Sequence, residues 1–416
     1  MSKKLLIIGH TFPEPTTTAA GSRMLQLVGL FKEEGYEITF ASTASRTQQT
    51  AIFKDEGIEE VSIRLNDISF DEFVFQLNPS VVLFDRYMTE EKFGWRVAEQ
   101  CPNALRILDT EDLHFLRRAR EEALKKDAPI NLHSDTAKRE LASILRCDLS
   151  LIISEYEMQL LTETFHIPEG ILYYVPFLLD PVSEETKRGL PNFDQRKGFM
   201  TIGNLMHAPN VDSVKYLKNE VWPAIRKQLP NAELSVYGNY APKHITEMHN
   251  PKEGFHIKGW AKDVDAVMNK ARVCLAPLRF GAGLKGKLVD AMRCGTPSVT
   301  TNVGAEGISG EFPFGGMISD NLTDFVTHAV QLYLEEDIWL EKQENGFKIL
   351  CKRFQKDRFS EAFMNMVRIL QNNMEEHREE HFLGQVILHH SLQSTKYMSK
   401  WIEAKNRGRH FRREED

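Results

Sequence analysis

Three things are scarce in this sequence, and each scarcity removes a class of protein. Cysteine comes to five residues, Cys101, Cys147, Cys274, Cys294 and Cys351, widely spaced and without a Cys-x-x-Cys pair. That pattern argues against a disulfide framework or a thiolate metal site and suits a reducing compartment. Long apolar runs are missing too, for none approaches the ~20 residues of a membrane span. The apolar stretch near the start, Leu5 to Ile8, is far shorter than a leader core and reads as a first strand. Excess positive charge is the third absence: 52 Lys and Arg stand against 59 Asp and Glu, a net charge of -7. Such a balance repels a polyphosphate backbone, which sets nucleic acid aside as a partner. A cytoplasmic protein is the expectation, with peripheral membrane contact left open.

What is present is ordinary globular material in quantity: 416 residues, 42% hydrophobic and 27% charged, more than one core needs. Element types alternate from the start. Strand Lys4 to Gly9 leads to a helix with Met24, Leu27, Val28 and Phe31 on one face, then Gly35 and strand Glu37 to Ala41. Further apolar strands at Val81 to Phe84, Ala104 to Leu108 and Leu149 to Ser154 imply a parallel sheet wrapped by helices. Between Asp180 and Gly198 the chain turns charged and aperiodic, as a linker does. The alternation then restarts with Phe199 to Gly203, a helix bearing Val214, Leu217, Val221 and Ile225, and strand Glu233 to Gly238. The fold class is therefore α/β, with Rossmann-like domains at 1–185 and 198–356 and C-terminal helices at 357–416. The last dozen residues carry Lys405, Arg407, Arg409, Arg412 and Arg413 before three acids, and read as a frayed solvated tail or as a contact with anionic lipid.

The stretch Val273 to Gly307 reads strand, glycine loop, helix, turn, strand. Gly281, Gly283 and Gly286 let backbone N–H groups approach an anion where the helix begins. These glycines satisfy G-x-G-x-x-G with Glu306 twenty residues on, as in a dinucleotide site. The following strand, however, ends in Thr301 and Asn302, where a ribose-binding acid belongs. Gly281 to Lys287 also spell G-x-x-x-x-G-K, but Leu288 has no hydroxyl for magnesium. In a third reading, Asp290 lies two turns below Gly283 on nearly the same face and accepts ribose hydroxyls while the loop holds phosphates. A plain i,i+3 surface pair of Lys287 with Asp290 fits the same spacing.

GHTFPEPTTTAAGSR in the first half, with GNLMHAPNVDSVKYL, HIKGWAKDV and APLRFGAGLKGKLVDAMRCGTPSVTT in the second, resemble a family 4 (group 1) retaining glycosyltransferase of the GT-B fold. The resemblance implies a hexosyl donor on a nucleoside diphosphate, no metal cofactor, a glycan or lipid-linked acceptor, and a last helix crossing back to the first domain. In that family an acid-x7-acid motif binds donor sugar and ribose. Here the second acid is Asp290 and the first falls on Ala282. Arg279, Lys285 and Lys287 are the expected diphosphate charges. Gly21 and Arg23, at the start of the first long helix, are expected at the phosphate from the other side, with helix capping by Thr18 or Ser22 as the bland reading. His114, with Asp112 behind it, is expected at the donor sugar, and Arg86 and Glu91 at the acceptor. An NAD-dependent oxidoreductase and a catalytically inactive GT-B scaffold are the alternatives. Asp263-x-Asp265 reads as a helix cap, and HREEH at 377–381 as a solvated helix rather than a zinc site.

Overall fold

The computed structural model describes residues 3–51, 53 and 57–413, with 390–395 and 406–413 described by their backbone alone. Seven strands form the first sheet: β1 (Lys4–Gly9), β2 (Glu37–Ser42), β3 (Glu59–Ser62), β4 (Val81–Asp85), β5 (Leu105–Asp109), β6 (Leu149–Ile152) and β7 (Leu172–Tyr174). Their order is β3-β2-β1-β4-β5-β6-β7, and every pair is parallel. Helices cover both faces, so the central strands are buried on both sides and read as unbroken apolar runs. Along β1, Leu5 and Ile7 pack with Phe31 and Phe40, whereas Leu6 and Ile8 pack with Phe84 and Phe93 on the other face.

The second sheet holds β8 (Phe199–Ile202), β9 (Leu234–Tyr237), β10 (Phe255–Gly259), β11 (Val273–Ala276), β12 (Ser298–Thr300) and β13 (Gly316–Ile318). Its order is β10-β9-β8-β11-β12-β13, again all parallel. The edge strands β3, β7, β10 and β13 are the ones that sequence pattern does not reveal. β3, for instance, reads Glu-Glu-Val-Ser and leaves its two end residues exposed, because a single neighbour defines an edge strand. The linker is also less irregular than its composition suggests: Ser183 accepts the Thr186 N–H and starts a short helix, Glu184–Gly189.

The chain crosses back to the first domain where Leu179 bridges Gln355. Helix Ser360–Asn372 then inserts Phe363, Met364, Val367 and Leu370 into the core of the first sheet. Two more helices, Met374–Glu380 and Phe382–Arg413, follow on the same domain. The expected frayed tail is thus helical in its backbone as far as Arg413. The HREEH segment is an anchor: His377 Nε2 lies 2.8 Å from the Asp148 carbonyl, and Arg378 grips the Asp148 carboxylate at 2.7 and 2.8 Å. Burial alone would raise Asp148, but Arg106 and Arg378 outweigh it and hold the carboxyl at about 2.

Candidate active site between the two domains

A cavity of about 630 Å³ opens between the carboxyl edges of the two sheets, where open parallel sheets place their ligands. Side chains from one domain reach the other around its rim. Arg120 donates to the Gly281 carbonyl at 2.8 Å and pairs with Glu306 at 2.7 Å. Glu157 accepts N–H bonds from Leu113 of its own domain and from Gly283 across the cleft, at 3.0 and 2.8 Å. Trp260 Nε1 donates to the Thr16 carbonyl at 3.3 Å.

On the first-domain side, the loop after β5 brings Glu111, Asp112 and His114 to the cavity. Arg23 locks its base, gripping Asp109 with Nε and Nη2 at 3.0 and 2.9 Å. The buried Glu140 accepts the N–H groups of His114 and Phe115 at 3.1 and 2.8 Å, capping helix His114–Lys126 from a neighbouring helix. Burial pushes the Glu140 carboxyl up to about 8. His114 and Asp112 both line the cavity, with His114 Nε2 3.3 Å from Asp112 Oδ1. Burial drives His114 down to about 3, so its imidazole is neutral at pH 7. Asp112 is held below the usual carboxylate range, because Arg117 and His114 outweigh its burial. Arg86 also lines the cavity, at φ 70°.

On the second-domain side, helix Gly286–Arg293 points its N-terminus into the cavity, and its N-cap, Lys285, makes no side-chain cap bond. Lys285 Nζ donates to the Gly283 carbonyl at 2.6 Å, and Lys287 Nζ to Asn210 Oδ1 at 2.8 Å. Among the described residues neither ammonium forms an ion pair. Burial lowers both to about 8. Asp290 lines the cavity about one turn further along the helix and is half-exposed, touching Arg293 at 3.4 Å. Gly281 lines the cavity as well.

Five expected residues are placed otherwise. Gly21 does not line the cavity: its N–H is taken by the N-cap Thr18 Oγ1 at 3.0 Å, and a Cβ there would meet the Glu14 backbone at 2.5 Å. Arg23 is 1% exposed and spent on Asp109 and the Val175 carbonyl, 2.7 Å away. Gly283, at φ 61°, gives its N–H to Glu157 rather than to the cavity. Arg279 is turned aside to Asp212 at 2.9 Å and stacks over Tyr216. Glu91 pairs with Arg139 at 2.9 Å, outside the cavity. Asp263 does cap its helix, accepting from the Ala266 N–H at 2.9 Å.

Sequence reasoning missed Glu111, Arg117 and His207, all on the cavity wall. Glu111 sits at φ 63°, and its Oε1 is buried without a hydrogen-bond partner. Burial and the nearby Asp109 raise it well above the ordinary glutamate value. Two non-glycine residues at positive φ on one rim, Arg86 and Glu111, are the strain that active sites concentrate. Burial lowers His207 to about 4, with Arg117 adding to it. The missing first motif acid has a local explanation: Ala282 packs into an apolar cluster with Leu113 and Phe115 of the first domain.

Residues 196–335 match the family model described as glycosyl transferases group 1. A Klebsiella pneumoniae protein described as an uncharacterized 44.6 kDa protein in the cps region is 23% identical over 232 residues, 52% of this chain and 55% of that protein. The chain thus spans about half the length of that curated relative. Sucrose-phosphate synthase from Thermosynechococcus elongatus superposes with a TM-score of 0.67 at 14% identity, over 88% of this chain and 99% of that one. Anabaena HepE, in complex with UDP and glucose, superposes with a TM-score of 0.62 at 12% identity, over 88% and 99%. Residues 196–335 are therefore a glycosyl transferases group 1 domain, and the chain has the GT-B glycosyltransferase fold.

Proposed function

We propose that the chain transfers a hexosyl group from a nucleoside-diphosphate sugar to a hydroxyl of a glycan or lipid-linked acceptor, with retention of anomeric configuration. The observation that carries this reading is the pair of ammonium groups, Lys285 and Lys287, held by neutral partners at an uncapped helix N-terminus in the interdomain cavity. Buried cations with no directly paired carboxylate call for an anion, and a diphosphate suits both ammoniums and the first-turn N–H groups. Asp290, further along the helix, suits ribose hydroxyls.

In the proposed reaction, the bond from the anomeric carbon to the diphosphate oxygen breaks and one to the acceptor oxygen forms on the same face. The departing diphosphate takes the acceptor proton. Lys285 and Lys287 stabilise the charge that develops on it, a task this reading gives to the protein rather than to a metal ion. Neutral His114 contributes a hydrogen bond to the sugar and no mobile proton. Arg86, Glu111 and Asp112 face the reacting groups from the acceptor domain. HepE binds UDP and glucose on the same fold, which is consistent with this donor class.

The test is a thermal-shift screen against UDP, GDP, ADP, CMP, dTDP and NAD, repeated on Lys285→Ala and Asp290→Ala. A ligand at about 100 times its dissociation constant adds ~2.7 kcal/mol. One nucleoside diphosphate shifting the wild type and neither variant is the expected result. A shift by NAD alone overturns the reading, and no shift at all leaves the inactive scaffold.

A further inference from the structure

Helix Phe382–Arg413 is amphipathic the wrong way round for a surface helix. Its polar side faces the protein: Ser399 is 3% exposed and donates to Asn66 Oδ1 at 2.8 Å, Arg96 reaches both Ser399 and Glu403, and Lys396 pairs with Glu99. Near its start Gly384 lies on the first-domain helix Asp135–Arg146, where an added Cβ would stand 2.2 Å from the Leu145 carbonyl. At 3.6 residues per turn, Phe382, Leu383, Val386, Tyr397, Met398 and Trp401 share the opposite side. All six are exposed, Phe382, Tyr397 and Trp401 by 65, 65 and 59%.

Charge identifies what covers this stripe. The chain as a whole is acidic, at -7. From Lys396 to the last residue, however, Lys396, Lys400, Lys405, Arg407, Arg409, Arg412 and Arg413 stand against Glu403, Glu414, Glu415 and Asp416, an excess of positive charge. Glu403 is occupied by Arg96, and Lys405 lies 4.9 Å over the Trp401 ring. An exposed Tyr-Met-Trp stripe bordered by lysines suits the boundary between headgroups and acyl chains of an anionic bilayer, with rings in the boundary and ammoniums at the lipid phosphates. A second copy of an acidic chain has less to offer those cations. We infer that this helix lies on an anionic membrane surface and holds the first domain against it. No helix among the described residues is long and apolar enough to cross a membrane, so the contact is along the surface. The inference is independent of the donor site; together with the proposed reaction it points to an acceptor delivered from the lipid side.

Co-sedimentation of the full chain, without nucleotide, with vesicles of phosphatidylcholine alone and of phosphatidylcholine mixed with phosphatidylglycerol tests it. The chain is expected to bind the anionic vesicles at least roughly tenfold more tightly and to be released as salt is raised. Tyr397→Glu with Trp401→Glu, and separately Lys400→Glu with Lys405→Glu, are expected to lose this binding with unchanged melting, since all four side chains are exposed. Equal or absent binding to the two vesicle types overturns the inference. So does a concentration-dependent dimer, seen by light scattering, that the Tyr397→Glu, Trp401→Glu variant dissolves, because the stripe then belongs to a second copy.

Discussion

The two walls of the cleft handle charge in opposite ways. On the first-domain side, guanidinium groups are committed to carboxylates: Arg23 to Asp109 beneath the loop after β5, and Arg120 to Glu306 at the rim. On the second-domain side, Lys285 and Lys287 meet only a carbonyl and an amide. A buried pair whose partners are fixed holds the loop geometry and has nothing left for a ligand. A buried cation with a neutral partner is costly in the empty cleft and gains when an anion enters. On the proposed function one wall serves stability and the other binding, and the two roles respond to different substitutions.

The sharpest contrast is expected at Arg23. Arg23→Ala leaves the fully buried Asp109 without its counter-charge and removes donors from the Val175 and Pro176 carbonyls. A loss of about 3–5 kcal/mol in unfolding free energy is expected from denaturant titration. A variant that melts normally but no longer binds nucleotide would put Arg23 on the binding wall and erase the contrast.

Lys287→Ala should do the reverse. Removing one charged donor to a diphosphate is worth about 1.5–3 kcal/mol, so nucleoside diphosphate affinity, measured by titration calorimetry, should fall roughly tenfold to a hundredfold. Melting of the unliganded protein should stay level or rise, because a desolvated cation has been removed. Both ammoniums sit near 8, so affinity should also weaken above about pH 8 as they lose their protons.

The binding wall was the more legible of the two in the sequence, for a physical reason. Gly281, Lys285, Lys287 and Asp290 lie within one loop and helix, where spacing fixes which faces they share. The committed pairs join distant positions, as Arg23 does with Asp109 or Arg120 with Glu306, and no local period records them. Gly21 and Gly283 misled because a glycine beside a helix start serves a close backbone approach or a positive φ as readily as a phosphate. Glu111 and His207 were hidden for another reason: the burial that shifts both, and the backbone strain at Glu111, are properties of the folded chain that no spacing records. The central strands were legible because burial on both faces leaves a continuous apolar run. The edge strands borrow their burial from one neighbour and carry no such mark.

Buried titratable groups on both sides of the cleft also predict a pH profile. Burial raises Glu140 to about 8 and Glu157 to about 7, so the stability tied to their neutral forms is complete below the unfolded glutamate value and lost as pH rises through 7 to 8. His114 and His207 are depressed to about 3 and 4, so their contribution is complete above about pH 6.5 and is lost as pH falls toward those values. Stability should therefore peak between the two limbs, each group changing it by at most about 1.4 kcal/mol per pH unit in its window. Glu140→Gln should flatten the alkaline limb in melts taken from pH 6 to 9, and an unchanged limb would reassign it to Glu157.

Arg279 is the residue that most finely divides the two walls, because it belongs to the glycine loop by sequence yet behaves like a first-wall cation. Its guanidinium is bidentate on Asp212, over the Tyr216 ring, with about a third of the side chain exposed. A pair so open to solvent is worth less than about 1 kcal/mol, and its loss should cost no more than that in melting. Nucleotide affinity should be unchanged in Arg279→Ala, since neither partner lines the cavity. A tenfold loss of affinity would mean that Arg279 leaves Asp212 for the diphosphate when the nucleotide binds. Asp212→Asn separates the cases: a ligand-recruited arginine, freed in advance, should bind nucleotide more tightly, whereas a surface pair should leave affinity where it was.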